Sequence, residues 1–189
     1  MVLTRDGAVR YEPHLLDPEQ ADDLLRALLA RTAWSQDAFT LYGRRVPFPR
    51  LTAWYGDPGA VYTYSGIRNE PLPWTVPLEG LRALLAARTG VRFNSVLLNQ
   101  YRHGGEHMGW HADDEPELGP APTIASVSVG AERVFEFEHR GDRERIALVL
   151  GHGSLLLMEG ETQRRWRHRL PKRRAAAGVR VNLTFRVVT

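Results

Sequence analysis

Arg180-Val181-Asn182-Leu183-Thr184-Phe185-Arg186 alternates polar and apolar side chains without a fault. In a β-strand successive side chains point to opposite faces. Arg180, Asn182, Thr184 and Arg186 therefore share one face, and Val181, Leu183 and Phe185 share the other. An ordinary surface strand, polar outward and apolar inward, has the same alternation. It accounts less well for two Arg, an Asn and a Thr on one face with no Lys or Glu among them. Two guanidiniums so placed can grip both ends of a dicarboxylate through charge-assisted hydrogen bonds. A dicarboxylate that also chelates iron is 2-oxoglutarate. Asn99 and Tyr101 repeat the spacing at i and i+2 on an earlier apolar segment. An amide and a phenol hydrogen-bond a carboxylate without adding charge. Taken alone, that second pair reads more simply as two polar residues at a strand end.

The chain around this segment has 189 residues, 43% of them hydrophobic, and no Cys. That length implies one domain with a full core and excludes a disordered tail protein. The absence of Cys excludes disulfides, Fe–S clusters, thiolate zinc sites and cysteine nucleophiles. Any metal must be held by His and carboxylates. The first residues carry charges where a signal peptide needs an apolar core, and no apolar run approaches a membrane span. A soluble, cytoplasmic, monomeric protein with no membrane partner is the expectation. The net charge is only +3, yet seven of the eleven residues from Arg164 to Arg174 are Lys or Arg. Such a block suits an anionic partner, most commonly nucleic acid, or a solvated basic face.

Two helices are expected. Asp17-Pro18-Glu19-Gln20 is a start signal, with Ala21, Leu24, Leu25, Leu28 and Leu29 as an apolar stripe. A second helix is expected from about Pro77 to Arg88, with Leu78, Leu81, Leu84 and Leu85 inward and Gly90 as a stop. From residue 93 onward the chain reads as strands: Phe93–Tyr101, Ile124–Val129, Arg133–Glu138, Ile146–Leu150, Ser154–Met158 and Val179–Val188. Arg140-Gly141-Asp142 reads as a hairpin tip. The stretch 38–66 reads as loops and short strands laid over the core. Many short strands behind two helices predict an α+β, mostly β fold: a sandwich or jelly roll with helices on one side.

Of the seven histidines, only His111 is followed two residues later by a carboxylate, Asp113. Chance alone would give about one such match, so context must carry it. Residues i and i+2 at a strand end point the same way and can take adjacent positions on one metal. The third ligand must be another His. His168 is the candidate, and His103, His107, His139 and His152 compete with it. Two His and one carboxylate with open positions is the facial triad of non-haem Fe(II) oxygenases.

Together, Asn99-x-Tyr101, His111-x-Asp113, a distal His168 and Arg180-x-Asn182-x-Thr184-x-Arg186 resemble the AlkB family of Fe(II)- and 2-oxoglutarate-dependent nucleic-acid dioxygenases. The resemblance covers roughly residues 40–187. PRLTAWYGDPG, YTYSG, HADDE, IASVSVG, HGSLLLM and RVNLTFR are most similar to the branch of human AlkB homologue 2 and its bacterial relatives. The resemblance implies one domain over 1–189. Its core is a double-stranded β-helix (jelly roll) at about 93–188, with N-terminal helices on one side and a nucleotide-recognition lid at about 38–66.

It also implies site roles. His111, Asp113 and His168 would ligate Fe(II), which settles the third ligand. Arg180, Asn182 and Tyr101 would bind the far carboxylate of 2-oxoglutarate. Arg186 and Asn99 would serve the chelating end, Arg186 would also orient Asp113, and Thr184 would support the co-substrate. With O2 as second co-substrate, the implied reaction removes N-alkyl groups from DNA bases such as 1-methyladenine and 3-methylcytosine, releasing formaldehyde. A base inside a duplex must be flipped out to reach buried iron. Tyr62, Tyr64 and Ser65 resemble the lid residues that hold it, and Asp114 and Glu115 resemble the acids at its edge. Leu41-Tyr42-Gly43 aligns with the hairpin that fills the vacated stack, with Arg44, Arg45 and Arg50 beside it for phosphates. Three alternatives stand beside direct DNA alkylation repair. They are the same demethylation on RNA or single strands, a non-catalytic metal-binding jelly roll that binds nucleic acid, and a zinc hydrolase. The hydrolase leaves the Arg180/Arg186 pair unexplained.

Overall fold

Two antiparallel sheets carry the fold, their strands numbered along the chain. The larger runs, edge to edge, β1 (Ala8–Glu12), β12 (Ser154–Glu159), β9 (Ile124–Gly130), β14 (Arg180–Arg186), β7 (Ser95–Tyr101), β4 (Leu51–Gly56). The smaller runs β11 (Arg145–Leu150), β10 (Arg133–His139), β13 (Trp166–Leu170), β8 (Met108–His111). Two hairpins stand apart: β2 (Ala38–Leu41) with β3 (Arg44–Pro47), and β5 (Tyr62–Tyr64) with β6 (Ile67–Asn69). The structure, a computed structural model, describes residues 1–3, 5–41, 43–64, 67–173 and 178–189, with the side chains of 39–41, 62–64 and 67–69 outside that description.

The helices form where the start and stop signals predict. In α1 (Pro18–Arg31) the Asp17 side chain accepts the Gln20 N–H at 2.8 Å, and Gln20 Oε1 accepts the Asp17 N–H at 3.1 Å. Two otherwise orphaned donors are satisfied in return for each other. In α2 (Val76–Thr89) Leu78, Leu81 and Leu85 are buried and Leu84 is partly so. Gly90 closes α2 at φ 73°, the left-handed conformation that a side chain disfavours. Among the described residues no helix is long and apolar enough to cross a membrane.

Both helices pack on the outer face of the larger sheet. Val181, Leu183 and Phe185 of β14 reach that core and are 0% exposed. Each such burial stabilises the fold by about 1.5–3 kcal/mol. The opposite face of β14 is buried as well, because β14 is flanked by β9 and β7 and faces the smaller sheet. A surface strand is therefore overturned: the polar residues point into the interior between the sheets. A second cluster, including Ile124, Phe137, Leu156 and Trp166, closes the space between the sheets away from that polar face.

The structure departs from the sequence reading in three segments. The stretch 38–66 contains β4, an edge strand of the larger sheet, where Ala53, Trp54 and Tyr55 are buried. At the other edge lies β1, from a segment to which no element was assigned. The larger sheet thus draws on residues well before 93. The basic block hides β13, whose Trp166, His168 and Leu170 are buried while Arg167 and Arg169 turn outward. That period of two is present in the sequence, but the charge obscures it.

Candidate metal centre

β8 ends at His111, and β13 carries His168 directly opposite it in the ladder. Asp113 follows two residues beyond β8. One ligand atom from each of the three residues lies within 4.8 Å of the others. The two imidazole rings meet edge to face, 4.2 Å between centroids. Phe135 stacks on His168 at 5.2 Å. His111 Nδ1 lies 3.0 Å from the Gly109 carbonyl. A carbonyl only accepts, so this nitrogen carries the proton and Nε2 keeps its lone pair. Asp113 and His168 are 4% and 3% exposed.

The rival histidines are engaged elsewhere. His139 lies between Asp142 and Asp6, His152 accepts the Gly130 N–H, and His107 faces the Gly105 carbonyl. Among the described residues no other three such side chains converge.

Protonation states favour a divalent cation. Burial, reinforced by His111 and Arg186, pushes the His168 pKa down to about 3. Burial also lowers that of His111. For Asp113 burial works the other way, but Arg186 and then the two imidazoles outweigh it and the pKa is lowered. Two neutral imidazoles and one carboxylate are the donor set that Fe(II) takes in facial triads, so the residues fit the metal.

One interior cavity joins this triad to the polar face of β14 and the facing residues of β7. Arg180 pairs in register with Tyr101, and Asn182 with Asn99. All six predicted co-substrate residues line that cavity. Arg186 Nη2 donates to Asp113 Oδ1 at 2.6 Å, both groups being 5% exposed. Asn182 donates to Ser126 Oγ at 2.8 Å and accepts from Thr184 Oγ1 at 3.0 Å. Arg180 is 2% exposed, donates to Ser128 Oγ at 2.9 Å, and lies 5.5 Å from the centre of the Tyr101 ring. Its Nε is buried with no partner, and burial pushes its pKa down to about 10. A buried guanidinium without a carboxylate is costly until an anion joins it. Ser126 and Ser128 were not anticipated. Their alternation in Ile124-Ala125-Ser126-Val127-Ser128-Val129 was the available signal.

The nucleic-acid residues divide. Gly43 adopts φ 76° at the tip of the β2–β3 hairpin, where Leu41 pairs with Arg44. Arg44 and Arg45 are exposed. Tyr42 and Ser65 lie outside the described residues, as do the side chains of Leu41, Tyr62 and Tyr64. Asp114 is exposed and pairs with Arg140 at 2.8 Å, while Glu115 is half-buried.

Arg50 differs from its neighbours Arg44 and Arg45 in being buried. It is 3% exposed, with its guanidinium 4.8 Å from the centre of the Phe48 ring and its Nε on Asn99 Oδ1 at 2.8 Å. Through Asn99 it braces a residue of the cavity wall, and it lines the open groove outside that cavity. Four of the seven cations in the basic block have carboxylate partners within the fold. Arg164 and Arg165 pair with Glu161, Arg167 with the fully buried Glu138, and Arg169 with Glu136. An open groove walled by Phe48, Arg50 and Trp110 runs up to His111.

The chain matches the model of the 2OG-Fe(II) oxygenase superfamily over residues 8–186. It is 44% identical over 186 residues to the alpha-ketoglutarate-dependent dioxygenase alkB homolog 3 of Rattus norvegicus, covering 93% of this chain and 62% of that protein. It is 41% identical over 185 residues to the DNA oxidative demethylase ALKBH2 of Homo sapiens, covering 92% of this chain and 71% of that one. The chain thus spans less than two thirds of the length of the alkB homolog 3 relative. Both names are matched at similar identity, although the sequence motifs pointed to the ALKBH2 branch. A solved structure of OsALKBH1 superposes with a TM-score of 0.68 at 18% identity, covering 98% of this chain and 100% of that one, and supports the jelly-roll fold.

Proposed function

The chain belongs to the 2OG-Fe(II) oxygenase superfamily and, within it, to the AlkB family, and from that membership we propose that it removes alkyl groups from N-alkylated bases of DNA. His111, Asp113 and His168 would hold Fe(II). When bound, the metal supplies the means to split O2 between 2-oxoglutarate and the alkyl carbon. One oxygen atom leaves in succinate with loss of CO2, and the other leaves in formaldehyde, with the base restored.

The observation that carries this reading is Arg180, a buried cation that pairs with no carboxylate among the described residues and lines the same cavity as the triad. It would take the far carboxylate of 2-oxoglutarate, with Tyr101 and Asn182 beside it. Arg186 holds Asp113 by one oxygen. The groove along Phe48 and Trp110 offers an aromatic approach to His111, suited to a base flipped out of the stack. Arg44 and Arg45 stand ready for phosphates beside it.

The test is release of succinate and formaldehyde with Fe(II), 2-oxoglutarate and O2 on methylated single- and double-stranded DNA. Formaldehyde that requires both 2-oxoglutarate and the methylated base is the expected result. Succinate without formaldehyde on either substrate would sink DNA as the target and turn the search to RNA.

A further inference from the structure

Resting on the metal-centre reading above, we propose that Gln163 is the positioning residue for Asp113, so that the segment 162–168 supplies one ligand and braces another. Asp113 lies beyond the end of β8, and its backbone N–H has no strand neighbour to bond. Gln163 takes that place. It is 2% exposed, in the single turn α3 (Thr162–Arg165) just ahead of β13, and its Oε1 accepts the Asp113 N–H at 3.0 Å. Arg186 holds the carboxylate of the same residue at 2.6 Å. Backbone and side chain of this ligand are thus each held by a separate element.

The amide itself is fixed at both ends. Its Nε2 donates to Met158 Sδ at 3.5 Å, and Met158 lines the metal cavity. Thr162 anchors the turn: its hydroxyl donates to the Glu159 carbonyl at 2.6 Å and accepts the Ala8 N–H at 3.0 Å. Arg140 spans the Gln163 carbonyl and the carboxylate of Asp114, tying the next residue to the same turn. Partners that orient a ligating group in this way typically change metal affinity by about 10–100-fold when removed.

Mn(II) binding to the metal-free chain, followed by the electron paramagnetic resonance of free Mn(II), tests this. Melting of each metal-free variant is recorded alongside. His111→Ala should abolish binding. Gln163→Ala should weaken it by about tenfold or more. Gln163→Glu keeps an acceptor oxygen at the same reach and should return the affinity to within about threefold of the parent. Affinity of Gln163→Ala within about twofold of the parent would overturn the proposal, as would Gln163→Glu binding as weakly as Gln163→Ala. If Gln163→Ala does not fold, Gln163→Met, equally long but without an acceptor, is compared with Gln163→Glu on the same criteria. A parent chain that binds no Mn(II) would overturn the metal-centre reading itself, and this proposal with it.

Discussion

Asp113 shows how few side chains decide the chemistry. Buried alone, its carboxyl would hold a proton; the Arg186 guanidinium, by charge and by hydrogen bond, keeps it ionised. The imidazoles are held neutral by the same burial, which makes the stability of the metal-free chain depend on pH. His168 titrates near 6.5 when unfolded and at about 3 when folded. Between those values the unfolded state binds a proton that the folded state refuses. Stability should therefore fall as pH drops through that window, with His111 acting in the same direction. Asp113, lowered in its turn, adds a further loss below its ordinary value of 3.8. Thermal melting of the metal-free chain at about pH 7 and about pH 5 checks this, with His168→Gln expected to flatten the difference. An unchanged slope in that variant would assign the effect to other groups.

Single elements each have one job, and their sequences show how directly they could be read. α1 is specified by its own start signal. Asp17→Ala removes a side-chain acceptor for an orphaned N–H and should cost about 1 kcal/mol in chemical denaturation. The β2–β3 hairpin was expected from the family resemblance rather than from a local signal, and its purpose depends on a partner. Tyr42→Ala should reduce turnover on duplex DNA more than on single strands, because only a duplex has a gap to fill. Equal losses on both would argue against a wedge. β13 was the hardest to read. Trp166, His168 and Leu170 alternate with Arg as a half-buried strand requires, yet the run of cations reads as a binding patch. Glu136 and Glu138, on the neighbouring strand, sit across from Arg169 and Arg167 and pair with them, as a sheet partner does.

The two sheets enclose a cavity with Arg180 at one end and, at the other, a ligand triad whose Asp113 is held by Arg186. Such an interior is costly while empty of anions, so its ligands should stabilise it. Free ligand at a hundredfold excess over Kd contributes about 2.7 kcal/mol, or roughly 5–10 °C in melting temperature for a domain of this size. Mn(II) and 2-oxoglutarate together should raise the melting temperature by that order. Arg180→Met should remove the part due to 2-oxoglutarate and leave the part due to Mn(II). If the variant responded to 2-oxoglutarate as the parent does, Arg180 would not be its anchor.

Local patterns were enough to specify the two long helices, six of the fourteen described strands and the alternation of β14, because capping, periodicity and turn chemistry act over a few residues. They also singled out His111, Asp113 and the four polar residues of β14. The choice of His168 from spacing stayed open until the family resemblance was weighed, and the fold resolves it physically by pairing β13 with β8. Burial likewise had to be decided in three dimensions. Arg50 has no local signal that separates an exposed side chain from a buried one, and only the fold brings it to Asn99, 49 residues away. The partner of the Asp113 N–H lies 50 residues away, a separation that no short-range pattern spans and only the packing of α3 against the end of β8 closes.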